Sequence, residues 1–323
     1  MRTMIYVALV GMAFPIMCDR VPADEPAFRW NVDTDHQYYT LMEGDLPVLR
    51  YNFGNVSMPA GVKLKHFPDG RPYGGERSNY LHPVYGLNGE VMTDDYPEHP
   101  HHRGLWLSWP VVRWKDRVAD LWAVCDVWAR PEKIEALEAG PKMALLKAAN
   151  VWKFGVEEQH PIVREAMTLR VYPTTGSDER GRIFDIDVTL TALGDGVAIG
   201  GRPKGGYGGM TYRALPAENQ EIAPFVADES ADPRGAWCRY SADFPGSKTR
   251  TSLVLLQHSS NPGYPTAHNV YANINCFMPA FPGDAEYPLP KGKPVTLKHR
   301  VWIVEGVPSQ EELREAWAAY HVE

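Results

Sequence analysis

The stretch DDYPEHPHHRG, residues 94–104, sets His99, His101 and His102 beside Asp94, Asp95, Glu98 and Arg103, and Pro97 and Pro100 keep it from being helical. An imidazole, with an ordinary pKa of about 6.5, can take or give a proton at neutral pH when carboxylates stand next to it. That transfer is the step shared by mutarotation, epimerisation and β-elimination on a sugar, so His101 and His102 are the candidate catalytic pair. In an extended segment side chains alternate, which puts His99 and His101 on one side and His102 on the other. The same-side pair could instead chelate a divalent metal, with Asp94, Asp95 or Glu98 as third ligand. No distant H-x-H or H-E-x-x-H motif supplies further ligands. The expectation is therefore a site that works without metal or cofactor, with a divalent ion at His99 and His101 as the alternative.

The residues around this stretch suit a carbohydrate. Between Arg71 and Trp109 lie Tyr73, Tyr80, Tyr85, Tyr96, Trp106 and Trp109, interleaved with His82, Arg71 and Arg103. Sugar C–H faces stack on aromatic rings while hydroxyls take polar contacts, so Arg71, Tyr73, Asp94, Tyr96 and Arg103 are candidate ligand-binding residues. The plainer alternative is that the aromatics fill a large core and the histidines cap turns. In RPKGGYGGMTYR, residues 202–213, glycines flank Tyr207 after Lys204, which could hold a substrate hydroxyl or an enolate oxygen. The segment lacks the pattern of a nucleotide-binding loop. Farther on, LLQHSSNPGYPTAHNVYANINCF offers His258, where an apolar strand ends, and His268 in the following polar segment. Hydrolysis by paired carboxylates is disfavoured because Asp94 and Glu98 sit too near each other in one loop, and no G-x-S-x-G elbow exists for a serine hydrolase.

Strands must position these residues. In RIFDIDVTLTAL, Phe184, Ile186, Val188 and Leu190 fall on one side, the intervening Asp and Thr residues on the other, and Ile183 stands apart. IVREAMTLRVYP alternates likewise, with Ala166 or Met167 competing for the apolar face, and VTLKHRVWIVEG reads the same way. TSLVLLQHS is almost continuously apolar, as in a strand buried on both faces. PEKIEALEAGP could make a short helix stopped by Gly140 and Pro141, among neighbours that read as strands. In SQEELREAWAAYH, Ser309 and Glu312 predict a capping box, and Leu313, Ala316, Trp317 and Tyr320 line one helical face. No fixed repeat or low-complexity linker divides the chain. The sum predicts an all-β fold: a large antiparallel β-sandwich with one C-terminal helix.

A chain of 323 residues with 28 Gly and 28 Pro fits one turn-rich all-β domain. Its formal charge of -7, with no basic run, argues against nucleic acid as a partner. The first segment has Arg2, an apolar run from Met4 to Met17 and a V-P-A ending at Ala23, which reads as an export signal. Residues 1–23 are then a signal peptide, residues 24–323 a single β-sandwich domain, and the mature protein is periplasmic or secreted. Cys18 offers a second route, lipid anchoring, against which the bulky Met17 stands. Cys125, Cys238 and Cys276 show no metal-type spacing, and no apolar run beyond residue 23 is long enough to span a bilayer.

The segment RPYGGERSNYLHPVYGLNGEVMTDDYPEHPHHRGLWLSW, together with KGGYGG, WCRY and HSSNPGYPTAHNVY, resembles the PmoA-like family of unknown function, secreted bacterial proteins labelled after methane oxygenase. The label conflicts with the sequence, which has no membrane-spanning segment past the signal. SWPVVRWKDRVADLW also stands where that family more usually has a G-D-V-N-G segment before its tryptophan. The resemblance implies the supersandwich fold of galactose mutarotase, with His101, His102 and His258 projecting into a concave sheet, and carbohydrate chemistry of no specified reaction. The reading is an exported carbohydrate-active protein performing mutarotation, epimerisation or β-elimination on a sugar or oxidised glycoside. Its rivals are a non-catalytic carbohydrate-binding module and a metal-assisted lyase or hydrolase.

Overall fold

The structure is a computed structural model describing residues 28–322, apart from 59, 96–97, 156, 158, 175–180 and 226–234. The expected export signal, Cys18 and Tyr96 lie outside the described residues. Two eight-stranded sheets form a sandwich in which neighbouring strands run antiparallel. The first sheet runs Phe28–Asp33, Tyr38–Glu43, Leu46–Asn52, Tyr80–Val84, Leu105–Ser108, Gly209–Arg213, Cys276–Pro279, His268–Tyr271. The second runs Val127–Ala139, Ala144–Phe154, His160–Val171, Gly181–Ala192, Pro294–Glu305, Thr251–Gln257, Trp237–Asp243, Glu218–Pro224. A smaller four-stranded sheet contains Val111–Trp114 and Val197–Gly200 at its centre.

Strand periodicity explains the core. Phe184, Ile186, Val188 and Leu190 face inward with Leu253 and Leu255 from the second sheet, and Leu41, Leu49, Tyr51 and Leu81 meet them from the first. Ile183 points the other way, where it packs with Val254, Leu256 and Trp302 beneath the C-terminal helix α1 (Gln310–Val322). Thr251–Gln257 is thus buried on both faces, as its unbroken apolar run requires. The helix begins with the expected reciprocal cap: the Ser309 N–H donates to Glu312 Oε2 at 2.8 Å and the Glu312 N–H to Ser309 Oγ at 3.2 Å. In His160–Val171 it is Met167 that faces the core, in line with Glu165. Buried Glu165 accepts hydrogen bonds from Asn150 Nδ2 at 3.0 Å and Trp152 Nε1 at 2.7 Å. A core-facing acid is what blurred that strand's pattern. PEKIEALEAGP forms strand and no helix: it belongs to Val127–Ala139, outermost in its sheet, with register irregularities at Pro131/Lys133 and Ile134/Ala136. Pairing along Ala144–Phe154 overrides the local helical preference.

Candidate functional site

The first sheet's outer face carries the site. In Leu105–Ser108, Leu105 enters the core while Trp106 points outward; in Cys276–Pro279, Phe277 goes in while Cys276 and Met278 go out; Tyr80 joins them. On this floor stands a pocket of about 170 Å³ walled by His99, His101, His102, Trp122, Tyr207 and Tyr271. Ring centroids step around it: His102 to Trp106 at 5.4 Å, Trp106 to Trp122 at 5.2 Å, Trp122 to Tyr207 at 5.0 Å and Tyr207 to Tyr271 at 6.2 Å.

The histidines reach the pocket through a tight turn. The His102 N–H donates to the His99 carbonyl at 2.8 Å, closing a β-turn with Pro100 at the position where proline's fixed φ is favoured. The expected alternation, with His102 opposed to His99 and His101, is therefore corrected. A turn brings its first and fourth residues together, so His99 and His102 stack at 5.1 Å and His101 meets His102 edge-on at 4.4 Å. Two glycines make the turn fit. Gly74, at φ +80°, lies where a Cβ would come within 2.8 Å of Pro100 Cγ, and Gly104, at φ +58°, leaves room for the Leu81 carbonyl. Opposite, Trp122 rides on the tight loop Asp120–Cys125. Its N–H donates to the Trp109 carbonyl at 3.0 Å, and Arg77 donates to the carbonyls of Leu121 and Trp122 at 3.1 and 2.6 Å.

Burial sets the charge state. His101 and His102 are 8% and 4% exposed, and desolvation holds both imidazoles well below their ordinary pKa, reinforced by nearby Arg77. Their Nδ1 atoms are buried without a hydrogen-bond partner. Burial pushes the Tyr207 phenol up to about 12 and the Asp120 carboxyl up to about 6, the latter against the pull of the Ala123 N–H donating to it at 2.7 Å. At neutral pH the pocket thus presents neutral imidazoles and a protonated phenol. His99 and His102 stack face to face, His99 and His101 meet edge-on at 5.9 Å, and among the described residues no group of three or more His, Cys, Asp or Glu side chains is placed to hold an ion.

A family model matches residues 39–318. The chain belongs to DUF6807, a family of unknown function. Among curated proteins none matches this DUF6807 member in sequence. Among solved structures it is similar to heparan sulfate lyase HepC from Pedobacter heparinus, at 11% identity and a TM-score of 0.40. A mutant of that lyase gives 12% and 0.42. Each match covers 88% of this chain and 38% of the lyase, so the chain spans well under half the length of those enzymes.

In this DUF6807 protein the expected site residues divide. His101 and His102 wall the pocket with His99, and Tyr73 stands against His101 at 5.3 Å. Arg103 is fully buried and spent on the backbone, donating to Pro100 O at 3.0 Å and lying 3.6 Å from Asp95, so it holds the loop. Asp94 lies by Arg213, half-buried, and Arg71 is engaged by Asp69 at 2.9 Å on a separate hairpin. Lys204 lines a shallow open groove beyond Tyr207. His258 does not project beside His101: it stacks on His321 of α1 at 4.6 Å, at the end of the second sheet. His268 sits near His299, and burial lowers it to about 3. The sequence reading gave no role to Trp122 or Asp120, and Arg77, Arg202 and Arg213 stood unremarked inside segments it had quoted. Tyr207 and Tyr271 belong to segments it had singled out for other residues.

Proposed function

We propose that the protein is exported, binds a single sugar residue in the histidine–aromatic pocket, and takes a proton from it through His101 or His102. The observation that carries this reading is the pairing of contiguous aromatic walls, suited to sugar C–H faces, with two buried imidazoles whose Nδ1 atoms lack protein partners. The pocket, of about 170 Å³, is on the scale of a single small-molecule ring and not of an extended chain. A neutral imidazole accepts a proton, and the Tyr207 hydroxyl across Trp122 keeps one to donate. Together they supply the base and the acid for mutarotation, epimerisation or β-elimination. A specific feature favours a second reading: the burial that keeps these imidazoles neutral also makes them weak bases, which suits a binding module without turnover.

Calorimetric titration of the purified protein with monosaccharides and their 3-keto forms, paired with exchange of sugar protons in deuterated water, separates the two. Trp122→Ala is expected to weaken binding at least tenfold. His101→Ala or His102→Ala should abolish exchange while sparing affinity, and the variant that does so marks the base. Binding without exchange in the wild-type protein selects the binding module, and absence of any sugar binding overturns both.

A further inference from the structure

We propose that the ligand of this pocket carries a carboxylate, as a uronic acid does, and that Arg202 at the pocket mouth pairs with it. The inference rests on the sugar reading above and narrows it to one chemical class. Arg202 has its guanidinium carbon 5.4 Å from the centroid of the Tyr207 wall and its Nη2 3.5 Å from Asp120 Oδ2, with its side chain 44% exposed. That spacing is long for a charge-assisted hydrogen bond, which closes to about 2.7–2.9 Å. The same chain shows what a committed arginine looks like. Arg113 puts two nitrogens on Glu286, both at 2.6 Å, and Arg300 grips Asp185 at 2.7 and 2.9 Å. Asp120 closes no such fork on Arg202: one of its oxygens lies 3.5 Å from Nη2 and the other accepts the Ala123 N–H at 2.7 Å. Asp120 and a side-chain hydrogen bond to the Tyr207 phenol thus orient Arg202, and its half-exposed fork of five N–H donors keeps others for a planar anion.

The wider charge pattern agrees. The protein as a whole carries -7, yet besides the neighbouring histidines the charges acting on His101 are those of Arg77, Lys65 and Arg202, and on His102 those of Arg213 and Arg77. Arg77 is buried and donates to carbonyls. Of the acids nearby, Asp120 faces Arg202, Asp94 lies by Arg213, and Glu98 acts on His99 more weakly than Lys65 or Arg213 does. A small pocket bordered by guanidiniums and neutral imidazoles favours an anion over a neutral sugar of equal size.

The test is calorimetry on the full chain with glucuronate and galacturonate against glucose and galactose. The expected result is at least tenfold tighter binding of the uronates. Arg202→Gln should remove that advantage and leave neutral-sugar affinity within about twofold, while Arg113→Gln, in a surface pair elsewhere, should preserve it. Equal affinity for acidic and neutral sugars, or an advantage that survives Arg202→Gln, overturns this proposal and leaves the sugar reading standing. Failure of every sugar to bind overturns the sugar reading and this proposal with it.

Discussion

Tyr207 and the paired imidazoles of His101 and His102 stand on either side of Trp122, one group holding its proton and the others lacking theirs at neutral pH. If the phenol acts as the acid, Tyr207→Phe keeps the aromatic wall but removes the donor. Turnover, followed as solvent deuterium entering the sugar, is expected to drop by about 10²–10⁴ while affinity changes little. Unaltered exchange would exclude Tyr207 from the chemistry. At this scale the sequence was legible in part. Clustered histidines announced a site, but the alternation assumed for an extended strand could not show Pro100 folding them onto one wall. Trp122 was harder still. Its loop turns through Val124 at φ +57° and Asp126 at φ +61°, left-handed positions that glycine usually marks and that a β-branched valine conceals.

Elements carry the next layer. The turn bearing the histidines is braced by the hairpin before it, where Gly74 lies against Pro100 and its N–H donates to Ala123 O at 2.7 Å. One glycine therefore touches both walls of the pocket, and its neighbour Gly75 has open space where a Cβ would stand. Gly74→Ala should lower stability by about 2–4 kcal/mol, from the left-handed φ and the overlap together, and weaken ligand binding. Gly75→Ala should change neither; urea unfolding of both variants decides, and equal losses would sink the account. The strands themselves were legible wherever one face was polar, and the helix cap was legible because Ser309 and Glu312 are local partners. What escaped was decided by pairing at a distance: Val127–Ala139 has a helix former's composition and becomes a strand because Ala144–Phe154 lies beside it.

For the whole molecule, the buried histidines dominate the response to acid. Burial lowers His82, His268 and His299 to about 3, and His101 and His102 well below their usual value. Each stays neutral in the fold while the unfolded chain takes up a proton below about pH 6.5, so stability is complete above that pH and falls by about 1.4 kcal/mol per group per unit beneath it. Asp94, Asp95, Asp120 and Glu165 run the other way, since burial raises all four and the fold keeps their protons longer than the unfolded chain does. The lowered histidines outnumber the raised acids, so on balance unfolding takes up protons. The melting temperature should therefore drop steeply between pH 6.5 and 4.5, as followed by circular dichroism; a flat profile would contradict the burial of these rings. The outermost strand Val127–Ala139 has another bearing on the molecule. Thirteen residues of backbone with no strand on one side would be a template on which a second chain could lie down and extend the sheet, but Ser78 and Trp30 already donate to its Ala129 and Glu138 carbonyls. Pro131 brings no N–H to that row, the two irregularities throw the remaining donors out of line, and Glu132, Lys133, Glu135 and Glu138 load it with charge. Copies crowded at high concentration thus meet a ragged, charged margin, and stacking into fibres finds no straight edge from which to begin.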